Sequence, residues 1–136
     1  MTNNKTPTDK ALEAFGEYAG MDAGELPEGV WQELQVRLCR WQRHNFEAAD
    51  LRDNIFGVVE ELGELAHAVL KNRQKIRGIS ESELKQRAGD AIADCTVFLM
   101  QVATHLRIDF ETVVIQTAEE VMERDWKKFP VNGVFR

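Results

Sequence analysis

Residues 91–103 read AIADCTVFLMQVA, thirteen positions that carry a single charge, Asp94. Wound as a helix, this segment shows apolar side chains on opposite sides: Ile92, Cys95 and Leu99 on one, Ala93, Val97 and Met100 on the other. A helix apolar nearly all round is expected to be buried nearly all round. Its fold must therefore surround it with other elements. Nothing in the chain alternates with period two for long enough to make a strand, and no internal repeat stands out. An all-α domain follows, with a four-helix bundle as its core.

Apolar periodicity and end signals place the four helices at about 28–44, 51–72, 81–106 and 109–128. In the first, Val30, Trp31, Leu34, Leu38 and Trp41 recur at helical spacing, and Pro27 and Glu28 suit its opening turn. In the second, Ile55, Val59, Leu62, Ala66 and Val69 form an apolar stripe. Ser80 through Glu83 reads as a capping box for the third helix, Asp109 as the cap of the fourth, and Pro130 as its terminator. Residues 1–8 read as a tail and 9–19 as a short extra helix stopped by Gly20. The expected division is an N-terminal segment, 1–26, and a helical domain, 27–136. At 136 residues, the chain suits a single domain.

Charge removes several function classes. Lys and Arg total 17 against 23 Asp and Glu, a formal net charge of −6, and a nucleic-acid polymer calls for the opposite field. No apolar run approaches the ~18 residues that suggest a membrane span. The polar start, MTNNKTPTDK, lacks an apolar signal core. Cys39 and Cys95 stand apart, as reduced thiols of a cytoplasmic protein would.

The acids carry the chemistry. Asp90 lies four residues before Asp94 and points the same way, adding a second negative charge. No Lys or Arg follows Asp94 within a turn, and Arg87 is two turns upstream. A buried carboxylate without a cation is costly, so something positive is expected between these acids. On the preceding helix, Glu60, Glu61 and Glu64 lie opposite the Ile55–Val69 stripe. At ~100° per residue, Glu60 and Glu64 are about 40° apart and Glu61 and Glu64 about 60°. Antiparallel packing of the two helices would join the clusters into an all-oxygen site. Hard divalent cations fit such a site, Mg²⁺ first and Mn²⁺ as a substitute. Lys71, Arg73, Lys75 and Arg77 follow directly and suit phosphate oxygens.

At these residues the sequence resembles the MazG-like nucleotide pyrophosphohydrolases of the all-α NTP pyrophosphatase superfamily. The resemblance spans about Trp31 to Pro130: GVVEELGELAHAVLK (Gly57–Lys71) is similar to the family's EExxE helix, GDAIADCTVFL (Gly89–Leu99) to its second acidic motif, and RDWKKFP (Arg124–Pro130) to its closing segment. The family usually has Glu three residues before the Asp of the second motif; here that position is Ala91, and Asp90 is the acid left to substitute. The resemblance implies hydrolysis of a nucleoside triphosphate between its α- and β-phosphates, giving the monophosphate and pyrophosphate. Glu61, Glu64, Asp90 and Asp94 would hold metal, and Glu60 would take a proton from water. It also implies a homodimer or homotetramer, an assembly that a broadly apolar third helix favours too.

For the substrate, Trp41, Asn45 and Phe46 are candidates to stack on or hydrogen-bond a base, and Trp126 with Lys127 and Lys128 form a second group. The compact build resembles phage-type members, some acting on dGTP, which points to a purine deoxynucleotide. Two other readings compete. Glu64 and His67 form an ExxH pair of the di-iron type, but neither His44 nor His105 supplies the second copy. A non-enzymatic helical interaction module is the stronger rival, and an acid inside a buried helix argues against it. Zinc chemistry lacks clustered His and Cys, and Cys39 and Cys95 fall within helices, where neither makes a nucleophile beside a His.

Overall fold

A computed structural model describes residues 29–135. The expected helix at 9–19 and the segment 1–26 lie outside the described residues. Four helices follow in order: α1 (Val30–Asn45), α2 (Leu51–Gln74), α3 (Glu81–His105) and α4 (Phe110–Met122). No strand occurs among the described residues, and the architecture is all-α.

Local chemistry explains where the helices start. Asp50 caps α2: its carboxylate accepts from the backbone N–H of Arg52 and Asp53, while Asp53 accepts from the Asp50 N–H at 2.9 Å. Ser80 caps α3 by accepting from Glu83 N–H at 3.1 Å. Asp109 caps α4 by accepting from Thr112 N–H at 2.7 Å, and the Gln32 side chain also donates to it, at 2.9 Å. α2 stops at Lys75, which turns into the left-handed region at φ 55°. Buried Asn72 then donates to the Ile79 carbonyl at 3.0 Å and folds the short loop back towards α3.

The last helix is shorter than expected. It ends at Met122, not near 128. Asp125 diverts the chain, its carboxylate accepting from the N–H of Lys127 at 3.1 Å and of Lys128 at 2.9 Å, while its own N–H donates to the Gly133 carbonyl. A short acid that captures nearby backbone donors competes with helix continuation.

α2 and α3 form a long antiparallel pair, and the sequence misleads about which faces meet. The stripe Ile55, Val59, Leu62, Ala66 and Val69 is exposed. The buried face of α2 is Asn54, Gly57, Ala68 and Asn72, with Val58, Glu61 and Leu65 partly covered. Small residues win this face because they let the partner helix come close. α3 is likewise one-sided: Ala91, Met100, Gln101 and Ala103 are buried, whereas Ile92, Asp94 and Leu99 are exposed. Among the described residues its neighbours do not encircle it, so burial all round does not hold.

α1 covers the other side through Gln35, Val36 and Cys39. The Gln35 amide donates to the Ile108 carbonyl at 2.9 Å and accepts from Phe110 N–H at 3.1 Å, pinning the turn from α3 to α4. Trp31 packs on Phe110 with centroids 5.9 Å apart. Beyond that anchor α4 has no buried residue. Among the described residues, no helix is long and apolar enough to cross a membrane.

Candidate metal and nucleotide site

The antiparallel register sets the acids against each other. Gly57 of α2 meets Phe98 of α3, and the charge of Asp94 bears on Glu61 one turn further on. Another turn along, Glu64 and His67 from α2 share a cavity with Asp90 and Arg87 from α3. The two acid motifs thus fall into step, EExxE running one way and DxxxD the other. Facing pairs arise because both motifs repeat at about one helical turn.

Glu61 registers the crowding. Its carboxyl is held above the ordinary range by partial burial first, then by the negative charges of Asp94, Glu64 and Glu60. Such a group lacks compensating charge and is a natural ligand for a cation. The donor set is all carboxylate, the chemistry that hard divalent ions take. It is paired and not clustered: among the described residues no three His, Cys, Asp or Glu side chains stand together as a metal-holding group. Glu60, Glu64, Asp90 and Asp94 are exposed, so their side chains have room to converge on an ion.

On one flank of this row opens a cleft of about 950 Å³, bounded by the end of α1, the α1–α2 connection, the start of α2 and the middle of α3. Asp94 forms part of its wall, with Trp41, Asn45, Phe46 and Phe98. Trp41 and Phe46 stand edge to face, 5.7 Å between centroids, and both are more than half exposed. The Asn45 amide donates to the Trp41 carbonyl at 2.8 Å, so that donor is already engaged. On the other flank, the Glu64–His67–Arg87–Asp90 cavity holds about 410 Å³. Arg87 there bonds Glu83 through Nε at 3.1 Å and through a terminal nitrogen.

No protein-family model, no curated protein and no solved structure matches this chain.

The sequence-derived candidates divide accordingly. Glu61 and Asp94 are brought together, as are Glu64 and Asp90, and Trp41 and Asn45 share the large cleft with Asp94. Lys71, Arg77, Trp126 and Lys127 line neither cavity. Lys71 donates to Gln74 on its own helix at 3.3 Å, Arg77 sits in the α2–α3 loop at φ 58°, and Trp126 and Lys127 occupy the turn after α4. Asp94 is exposed on the cleft wall and not buried as expected, so its position does not tell against a mere scaffold. Sequence reasoning gave no site role to Phe98 or Gln101, and set Arg87 aside as two turns from Asp94. Arg87 precedes Asp90 by three residues, a spacing that already puts both on one helix face.

Proposed function

We propose that the chain hydrolyses a nucleoside triphosphate, a purine deoxynucleotide such as dGTP foremost, to the monophosphate and pyrophosphate with the help of Mg²⁺ or Mn²⁺. The observation that carries this reading is Glu61, a carboxyl raised by its surroundings and faced by Asp94, beside a cleft walled by aromatic rings. The resemblance of both acidic motifs to the MazG-like enzymes supports the same reaction.

Glu61, Glu64, Asp90 and Asp94 would hold the ion, which when bound supplies positive charge to the triphosphate and acidifies a water. Trp41 and Phe46 offer the base a stacking surface. Arg87 offers its guanidinium to phosphate oxygens from the far end of the acid row. Glu60, on the exposed side of α2, takes the proton from the attacking water on its carboxylate. Lys71, Arg77, Trp126 and Lys127 are assigned lesser parts, because they line neither cavity. A cytoplasmic location belongs to the same reading, supported by the free Cys39 and Cys95.

A rival reading, a non-enzymatic helical interaction module, draws on α4, which exposes Val113, Val114, Ile115, Val121 and Met122. The same surface supports a homo-oligomeric enzyme, so it does not separate the two. Product analysis does. The purified protein is incubated with each common ribo- and deoxynucleoside triphosphate, with Mg²⁺, Mn²⁺ or chelator. Pyrophosphate release from at least one nucleotide, dependent on metal, is the expected result. Only metal-independent background across the whole panel leaves the interaction module standing.

A further inference from the structure

We infer that Gln101 selects the nucleotide by accepting a hydrogen bond from an amino group on its base, an inference that rests on the nucleotide reading above. Gln101 lies on the inner face of α3, is 2% exposed, and reaches the wall of the 950 Å³ cleft. Its amide orientation is fixed from behind: Nε2 donates to the Leu38 carbonyl of α1 at 2.8 Å. A flipped amide would set oxygen against oxygen there, so the other end must be the acceptor Oε1. That Oε1 is buried and has no hydrogen-bond partner, the one such side-chain atom found among the described residues.

A buried acceptor left unpaired is expensive, and native structures rarely keep one without a reason. The neighbouring amides do not relieve it. Gln42 and Asn54 satisfy each other, the Gln42 Nε2 donating to Asn54 Oδ1 at 2.7 Å, and Asn54 spends its own donor on the Asp50 carbonyl at 2.9 Å. No described residue supplies the N–H that Gln101 lacks.

The rest of the cleft says which bases bring one. Its lining contains three carboxylates, Glu47, Asp53 and Asp94, against His44 and no Lys or Arg, so the charge at its rim favours N–H donors on a ligand. A base edge that presents carbonyl oxygens meets like partial charge at such a rim. An edge carrying an exocyclic amino group, as in adenine, guanine or cytosine, offers N–H donors to both the rim and Gln101. Sites that expect a donor reject analogues lacking it much more strongly than apolar pockets reject size changes. The volume falls within the ~300–1,000 Å³ typical of small-ligand sites.

Matched pairs of deoxynucleoside monophosphates test this without requiring turnover, since they have no bond for the enzyme to cut. dCMP against dUMP, dGMP against dIMP, and dAMP against dIMP, differ at the amino group. Calorimetry on the wild-type protein with Mg²⁺ should show the amino-bearing member of at least one pair binding about tenfold tighter or more. Gln101→Met keeps the length of the side chain and removes both polar ends, and should bring that pair to within about twofold while helical content is kept. Triphosphate hydrolysis is measured alongside. Hydrolysis by the wild type with no amino preference, or with a preference that folded Gln101→Met retains, overturns the inference and leaves the proposed reaction intact. An amino preference without hydrolysis supports Gln101 and overturns the reaction. If Gln101→Met does not fold, the wild-type pairs alone decide: equal binding within every pair, or no binding at all, overturns the inference.

Discussion

The ring of Phe98 occupies the space that a β-carbon on Gly57 would need. Gly57 is buried on α2, and Phe98 stands opposite on α3, where its ring also walls the large cleft. One turn beyond this contact, Asp94 faces Glu61. The absence of a side chain at Gly57 therefore sets how closely the helices approach where the acids meet.

Gly57→Ala should destabilise the protein. On an exposed helix this change would add about 1 kcal/mol through better propensity. Here the new methyl group must displace an aromatic ring, and overpacking of this kind costs about 1–3 kcal/mol. Urea denaturation should show a lower midpoint, with nucleotide affinity reduced as the ring is pushed into the cleft. Adding Phe98→Leu should recover part of the stability. A variant more stable than wild type would show that the ring and Gly57 are not in contact.

Glu61 makes the metal-free protein sensitive to pH. Its folded carboxyl titrates above the ordinary 4.5, so the native state holds the proton more tightly than the unfolded chain. The stabilisation from that proton is complete below 4.5 and is lost as pH rises through the raised folded value. Glu61→Gln, which never ionises, should show a melting temperature that falls less than wild type across this window in chelator. Mg²⁺ should restore wild-type stability above the window and do little for the variant. Parallel pH curves for the two proteins would mean that Glu61 carries no excess charge.

Much of this was readable from residues alone, for a physical reason that also marks its limit. Helix type and the caps at Ser80 and Asp109 are local matters, decided by side chains within a turn of the backbone they serve. The pairing of EExxE with DxxxD was readable too, because both motifs repeat with the helix. Which face of α2 turns inward was not. Ile55, Val59, Leu62 and Val69 are the more hydrophobic face, yet Gly57 and Ala68 are buried, since close approach depends on the shape of the partner as well as on transfer energy. The expected burial of Asp94 failed for a related reason: apolar neighbours along a helix do not say how many helices surround it. Gln101 was visible as a polar residue inside the apolar run, but its orphaned oxygen depends on Leu38, more than sixty residues away in sequence.

Asp109 holds α4 in place. It is 4% exposed, caps the helix through Thr112 N–H, and receives the Gln32 side chain from α1. Asp109→Ala removes the cap and strands that amide, which should cost about 1–2 kcal/mol. Asp109→Asn keeps an acceptor for the Thr112 N–H and should lose less. Equal stability of wild type and Asp109→Ala in urea would show that α4 is not secured here.

α4 also bears on assembly. A 13-residue helix with no buried residue, exposing Val114 and Ile115, is too short to be comfortable alone in water. We expect a second copy of the chain to cover it, giving a mass of at least twice 15.5 kDa by light scattering. Val114→Lys with Ile115→Lys should lower that mass. A wild-type protein that is monomeric at high micromolar concentration would remove the homo-oligomer from the proposal.

The facing acids give the sharpest test of the chemistry. Glu64→Gln and Asp94→Asn keep side-chain shape and remove one charge each, on opposite helices and in different pairs. Both residues are exposed, so circular dichroism and melting should change little. If the two helices share one metal-dependent reaction, each substitution should reduce pyrophosphate release by about a hundredfold or more, corresponding to roughly 2.7 kcal/mol or more of lost transition-state stabilisation. The double variant should be barely slower than either single one, because groups that hold one ion fail together. Losses that multiply would instead assign the two carboxylates to separate tasks, and a near-normal rate in either single variant would take that residue out of the site.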